Sequence, residues 1–135
     1  MNNLIYAKMI VRIASLYNAS ALVFFLLPNG LSLLGVMEPY SSFWRVLPGL
    51  LAAYGAIVLW LSSGDVMKYA SFSFWNGVVR LVFVTVVFIV GYQDSVGSFV
   101  LWLAIGDLPL GILTIYFVKA ATGKSISSLL TNKNV

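Results

Sequence analysis

Arg80 and Asp107 each stand in the middle of a long apolar run, Arg80 between Val79 and Leu81, and Asp107 within the stretch from Leu101 to Leu113. A charge at the centre of a membrane-spanning helix costs about 2.5 to 3.5 kcal/mol on insertion scales, so each needs a partner. Asp94 marks a turn between the two runs; Arg80 precedes it by 14 residues and Asp107 follows it by 13. On antiparallel neighbouring helices the two side chains then fall within about 1.5 Å of the same depth. The spacing predicts a buried ion pair between Arg80 and Asp107.

Asn18 with Tyr17 in the first apolar run and Tyr54 in the second reach similar depth, so the candidate intramembrane polar site is Arg80, Asp107, Asn18, Tyr54 and Tyr17, with one hydrogen-bonding group or more from every helix. Asp107 is followed by Leu108 and Pro109, and the proline lacks the N–H that would satisfy the carbonyl of Ile105. Two chemistries suit such a site. Polar groups inside a membrane bundle tie helices together at about 0.6 kcal/mol per hydrogen bond. An intramembrane acid at a helix break also suits an ion, proton or small-solute site, in which Asp107 would titrate and Arg80 would set its charge state. The structural tie is the leading expectation.

The elements that must position these residues follow from composition. Of 135 residues, 61% are hydrophobic and 9% charged, against roughly half and a quarter in soluble domains. Spans of about 20 residues fit four times. The apolar runs place them at about 10–28, 43–62, 69–92 and 97–118, with a polar tail over 119–135 in which Leu129 and Leu130 touch the membrane interface. The expected fold is a single all-α domain, an integral membrane antiparallel four-helix bundle. Pro28-Asn29-Gly30 ends the first span and residues 31–37 read as a short interfacial segment. In the second span, Gly49, Ala52, Ala53, Gly55 and Ala56 form small-x-x-x-small pairs, which predict the closest helix contacts there. Trp44 and Trp60, about 24 Å apart along a helix, suit two interfacial belts.

The net charge of +4 comes from eight Lys and Arg against four Asp and Glu. Four spans put both termini on one side with the loop between the second and third. That side carries Lys8, Arg12, Lys68, Lys119, Lys124 and Lys133, whereas the other carries Glu38, Asp94 and Arg45. Basic residues collect on the cytoplasmic side, so both termini are expected in the cytoplasm of a cell with this protein in its inner membrane. The same rule explains the positive charge without nucleic acid. Without Cys, disulfides, iron–sulfur ligation and thiol nucleophiles are excluded, and without His the commonest metal ligand, haem ligand and general base are missing. The four acids lie at different depths, so no metal site is expected, and no nucleotide, hydrolase or zinc-protease motif occurs. A lipid-modifying enzyme would have only Asp107, Tyr17 and Tyr54 to work with.

Arg12 with Tyr17-Asn18, Pro28 and Gly35 after the first span, Gly49 and Gly55 in the second, and Gly106-Asp107 in the fourth resemble small bacterial four-helix membrane proteins of the DoxX-like type. That resemblance implies a subunit near a quinone or electron-transfer partner. Without His or Cys to hold a redox centre such a role would be accessory, and no family site residue is carried over. The functional expectation is therefore a non-catalytic accessory subunit or partner-binding module without cofactor or metal. Its partners would be the lipid bilayer and a homo-oligomer or larger membrane complex. The alternative is a small-solute or proton-coupled carrier, acting as a homo-oligomer around Arg80 and Asp107.

Overall fold

The computed structural model describes residues 2–90 and 98–132. It is all-helical, with no strand among the described residues. Four long helices, α1 (Asn2–Leu26), α2 (Ser42–Gly64), α3 (Ala70–Val90) and α4 (Ser98–Thr122), are followed by a short α5 (Ile126–Thr131). All four long helices have the length and apolar composition to cross a membrane. At about 1.5 Å per residue, even the 21 residues of α3 span about the 30 Å of a hydrocarbon core.

Local chemistry sets the boundaries. Pro28 follows the last turn of α1, and Ser32–Leu34 form a 3-10 turn that ends on Gly35 in the left-handed region. Glu38 folds back on this turn, its Oε1 accepting from the backbone N–H groups of Leu31 and Ser32. Ser41 caps α2 by accepting from the N–H of Phe43. Pro48 is the seventh residue of that helix, past its first turn, so the Trp44 carbonyl loses its usual helical donor. Gly123, with φ +66°, ends α4 in a conformation that a side chain would strain.

Two boundaries differ from those expected. α1 begins at Asn2 rather than Ile10, because Ala7 is fully buried and the helix continues past the edge of the apolar run to seat it. The tail is not simply polar and interfacial. α4 runs on to Thr122, and α5 turns back, with Leu129 wholly buried in one cluster with Ala7, Val11, Val66, Ala70, Phe74 and Val118. Trp75 Nε1 donates to the Leu130 carbonyl at 2.9 Å and holds it there. Residues near both ends of the described chain and the connection between α2 and α3 thus share one core. The expected turn at Gln93-Asp94-Ser95, the ends of the third and fourth spans at Tyr92 and Gly97, and Lys133 lie outside the described residues.

The buried positions repeat at alternating steps of three and four. On α4 they are Ala104, Asp107, Gly111, Thr114 and Val118; on α3 the series runs Ala70, Ser73, Gly77, Arg80, Val84 and Val87, with Ser71 and Phe74 also buried beside its start. This spacing keeps one seam of a helix facing its neighbour. Arg80 and Asp107 are therefore seam residues, presented inward by the same periodicity that buries the apolar core. α1 packs most extensively on α2 and α3 on α4, α1 also meets α4, and α2 meets α3 only lightly. α2 does make the most extensive helix contact, with α1, and two glycines bring the backbones of α3 and α4 close together as well. A Cβ added to Gly77 would lie 3.0 Å from the Gly111 carbonyl oxygen, and one added to Gly111 would lie 3.1 Å from that of Gly77. On α2, Gly49 and Gly55 face side chains, Phe25 and Asn18, rather than another backbone.

Candidate functional site

The seam spacing delivers Arg80 from α3 into the space between α1 and α4, where its residue surface is 5% exposed. Its guanidinium is held from three helices. Nη1 contacts Asp107 Oδ1 of α4 directly. Nη2 donates to the Ala14 carbonyl at 3.0 Å and to Asn18 Oδ1 at 2.6 Å, both on α1. Nε donates to Asn76 Oδ1 at 2.9 Å, one turn earlier on α3. The Tyr17 ring lies against the guanidinium, with its centroid 5.4 Å from Cζ. Four of the five N–H bonds of the planar fork thus have defined acceptors.

Tyr17 is placed in turn by its hydroxyl, which donates to the Leu103 carbonyl of α4 at 3.2 Å. Gly106 makes room for it, since a Cβ there would stand 2.7 Å from the hydroxyl oxygen. Outside the ring lies a groove of about 230 Å³ between α1 and α4, lined by Tyr17, Ala21, Phe24, Phe99 and Trp102. Tyr17 is accordingly a wall between this apolar groove and the ion pair. Asp107 remains slightly more open than its partner, with 13% of its side chain accessible against 5% for Arg80.

Of the five residues expected to meet, the structure brings together Arg80, Asp107, Asn18 and Tyr17. Tyr54 stands apart: it is 69% exposed and lines a different groove, between α2 and α3. The reason is helical phase. Tyr54 precedes the buried Ala56 by two residues, about 200° around the helix. α2 contributes instead a backbone acceptor, the Ala56 carbonyl, which takes the Ser15 hydroxyl at 2.7 Å, and Gly55, whose missing side chain admits Asn18.

Sequence reasoning missed Asn76 and Ser15. Both carry a usable signal, since Asn76 is four residues before Arg80 and so stacks one turn beneath it, while Ser15 sits beside Ala14 on the buried stripe of α1. Two turns beyond Asp107, Thr114 is wholly buried and its Oγ1 has no hydrogen-bond partner. Among the described residues there is no cluster of three metal-ligating side chains. No family model, curated protein or solved structure matches the chain.

The arrangement offers a delocalised cation whose donors are taken up by acceptors on three helices, behind an aromatic wall. Such a group can fix the relative height and rotation of α1, α3 and α4. As a ligand site it would first have to give up those bonds.

Proposed function

We propose that the chain is an integral membrane protein, an antiparallel four-helix bundle in which Arg80 ties the helices together, serving as a non-catalytic accessory subunit or partner-binding module. The observation that carries this reading is that Asp107, Asn18, Asn76 and the Ala14 carbonyl take up four of the five N–H bonds of the Arg80 guanidinium. Membrane insertion is supported by an inverted polarity. Arg80, Asp107, Ser15, Ser73 and Thr114 lie inside, whereas Leu51, Val82, Ile89 and Ile112 face outward at 64%, 55%, 78% and 50% exposure. An outer surface of this kind suits lipid or a partner helix. Lys8, Arg12, Lys68, Lys119 and Lys124 all lie in or next to the segments that share the Leu129 core, which supports cytoplasmic termini in an inner membrane.

The carrier reading is favoured by one observation, the residual access to Asp107 next to a helix turn where Pro109 leaves the Ile105 carbonyl without its usual donor. The two readings separate on purification of the full chain from native membranes under mild detergent, followed by native mass spectrometry. A stoichiometric foreign protein supports the subunit reading. A homo-oligomer carrying only lipid or a small molecule, with a proton-coupled flux lost in Asp107→Asn while the fold persists, would replace it with the carrier.

A further inference from the structure

α2 and α3 are consecutive helices that barely touch along their length. They are joined at the Asp65 to Tyr69 connection, and just beyond it Ser62 and Ser73 meet through their hydroxyls at 3.1 Å. Past that bond a groove of about 440 Å³ opens, lined by Tyr54, Val58, Leu61, Ser62, Tyr69 and Phe72. Its apolar walls run from Ser62 to Tyr54 along α2, about 12 Å at the helical rise, close to the roughly 15 Å depth of one bilayer leaflet. At its turn end stands Lys68, whose Nζ lies over the ring of the groove residue Tyr69 at 5.1 Å. Among the described residues no carboxylate is paired with this ammonium; Asp65, the nearest acid in sequence, accepts instead from the Lys68 backbone N–H at 3.1 Å.

We infer that this groove is a binding site for one anionic phospholipid, an acyl chain lying between α2 and α3 and its phosphate at Lys68. The inference rests on the membrane reading above. Three features on different scales agree: a mostly apolar slot that reaches most of the way through one leaflet, a cation at its headgroup end, and a position on the basic side of the protein, where anionic lipid is attracted. A partner helix of a second copy would need apolar cover along the slot but would gain nothing from Lys68. The Tyr69 ring holds the ammonium at the mouth, so little reordering is needed when a phosphate arrives.

The test is native mass spectrometry of the full chain in detergent, titrated with phosphatidylglycerol or phosphatidylcholine of identical acyl chains. The wild type should retain one phosphatidylglycerol roughly fivefold better than phosphatidylcholine, the preference of about one interfacial Lys. Lys68→Gln should reduce that ratio to about one while phosphatidylcholine retention stays unchanged. Val58→Trp, which fills the slot, should lower retention of both lipids, and Val58→Phe provides a milder filling variant should the Trp protein fail to fold. Equal retention of the two lipids by the wild type, or an unaltered ratio in Lys68→Gln, would overturn the assignment. So would a dimer that Val58→Trp dissociates. A chain that alkaline carbonate strips from membranes would defeat the membrane reading itself, whereas a firmly embedded chain without lipid preference defeats only this site.

Discussion

Replacing Arg80 with Leu removes a side chain that is bonded to α1, α3 and α4 at once. Asp107, 13% accessible at its side chain, would be left as a nearly buried carboxylate without its cation, and Asn18 and Asn76 would each lose an ordered donor. Breaking a buried pair from one side costs about 3 to 5 kcal/mol in soluble proteins. Interhelical hydrogen bonds within membranes contribute less, about 0.6 kcal/mol each and 1.7 at most. Three tertiary contacts and one stranded carboxylate therefore place Arg80→Leu at about 3 kcal/mol. Asp107→Leu strands the guanidinium instead, but the Ala14, Asn18 and Asn76 acceptors remain, so its loss should be smaller, about 2 kcal/mol. In the double variant neither charge is stranded. It should lie near the loss of the Arg80 variant alone, giving an interaction energy of about 2 kcal/mol, within the range for directly coupled residues. The assay is reversible unfolding in mixed micelles, followed by circular dichroism, for all four proteins. Losses that add to within about 0.5 kcal/mol would refute the coupling, and with it the role of Arg80 as a tie between α3 and α4.

Asn18→Ala should lower stability by about 0.6 to 1.7 kcal/mol in the same assay, and should have no effect in an Arg80→Leu background, because its 2.6 Å bond is to that guanidinium. Gly77→Ala or Gly111→Ala should destabilise by about 1 to 3 kcal/mol, since the new methyl group would meet the opposing carbonyl at 3.0 or 3.1 Å; Gly64→Ala, with nothing within 4 Å, serves as the neutral comparison. Thr114→Val should be neutral or stabilising by about 1 kcal/mol, because it removes a buried hydroxyl that lacks a partner; a clear loss of stability would reveal a hydrogen bond at that site. Leu129→Ala should release α5, seen as faster proteolysis between Gly123 and Asn132 with α1 to α4 still protected.

The long helices were legible in the sequence because length and apolar content decide them, and a proline, a glycine and a capping serine mark the breaks. The Arg80 and Asp107 contact was equally accessible, since their distances along the sequence from Asp94 nearly match. Three features were not. The start of α1 lies outside the apolar run, because the buried face of Ala7 rather than hydropathy extends the helix. The docking of α5 depends on a single buried leucine and a tryptophan N–H bond from distant α3, neither of which leaves a periodic trace in so short a segment. Tyr54 shares the depth of the site but not its helical phase, and so faces outward. Counting around α2 from the small residues at 49, 56 and 63 would have turned it outward. On α3 and α4, Gly77 and Gly111 fall on the buried seam by the same kind of counting.

The most direct test of the closed, structural character of the Arg80 site is hydrogen exchange at its guanidinium, read by nitrogen NMR of the full chain in lipid nanodiscs. Donors engaged by buried acceptors behind the Tyr17 ring predict resolved Nε and Nη signals that persist for hours after transfer to D2O, and that disappear quickly in Tyr17→Ala. Rapid exchange in the wild-type protein, at the rate of a water-exposed arginine, would contradict the account and mark the site as open to water and ligands.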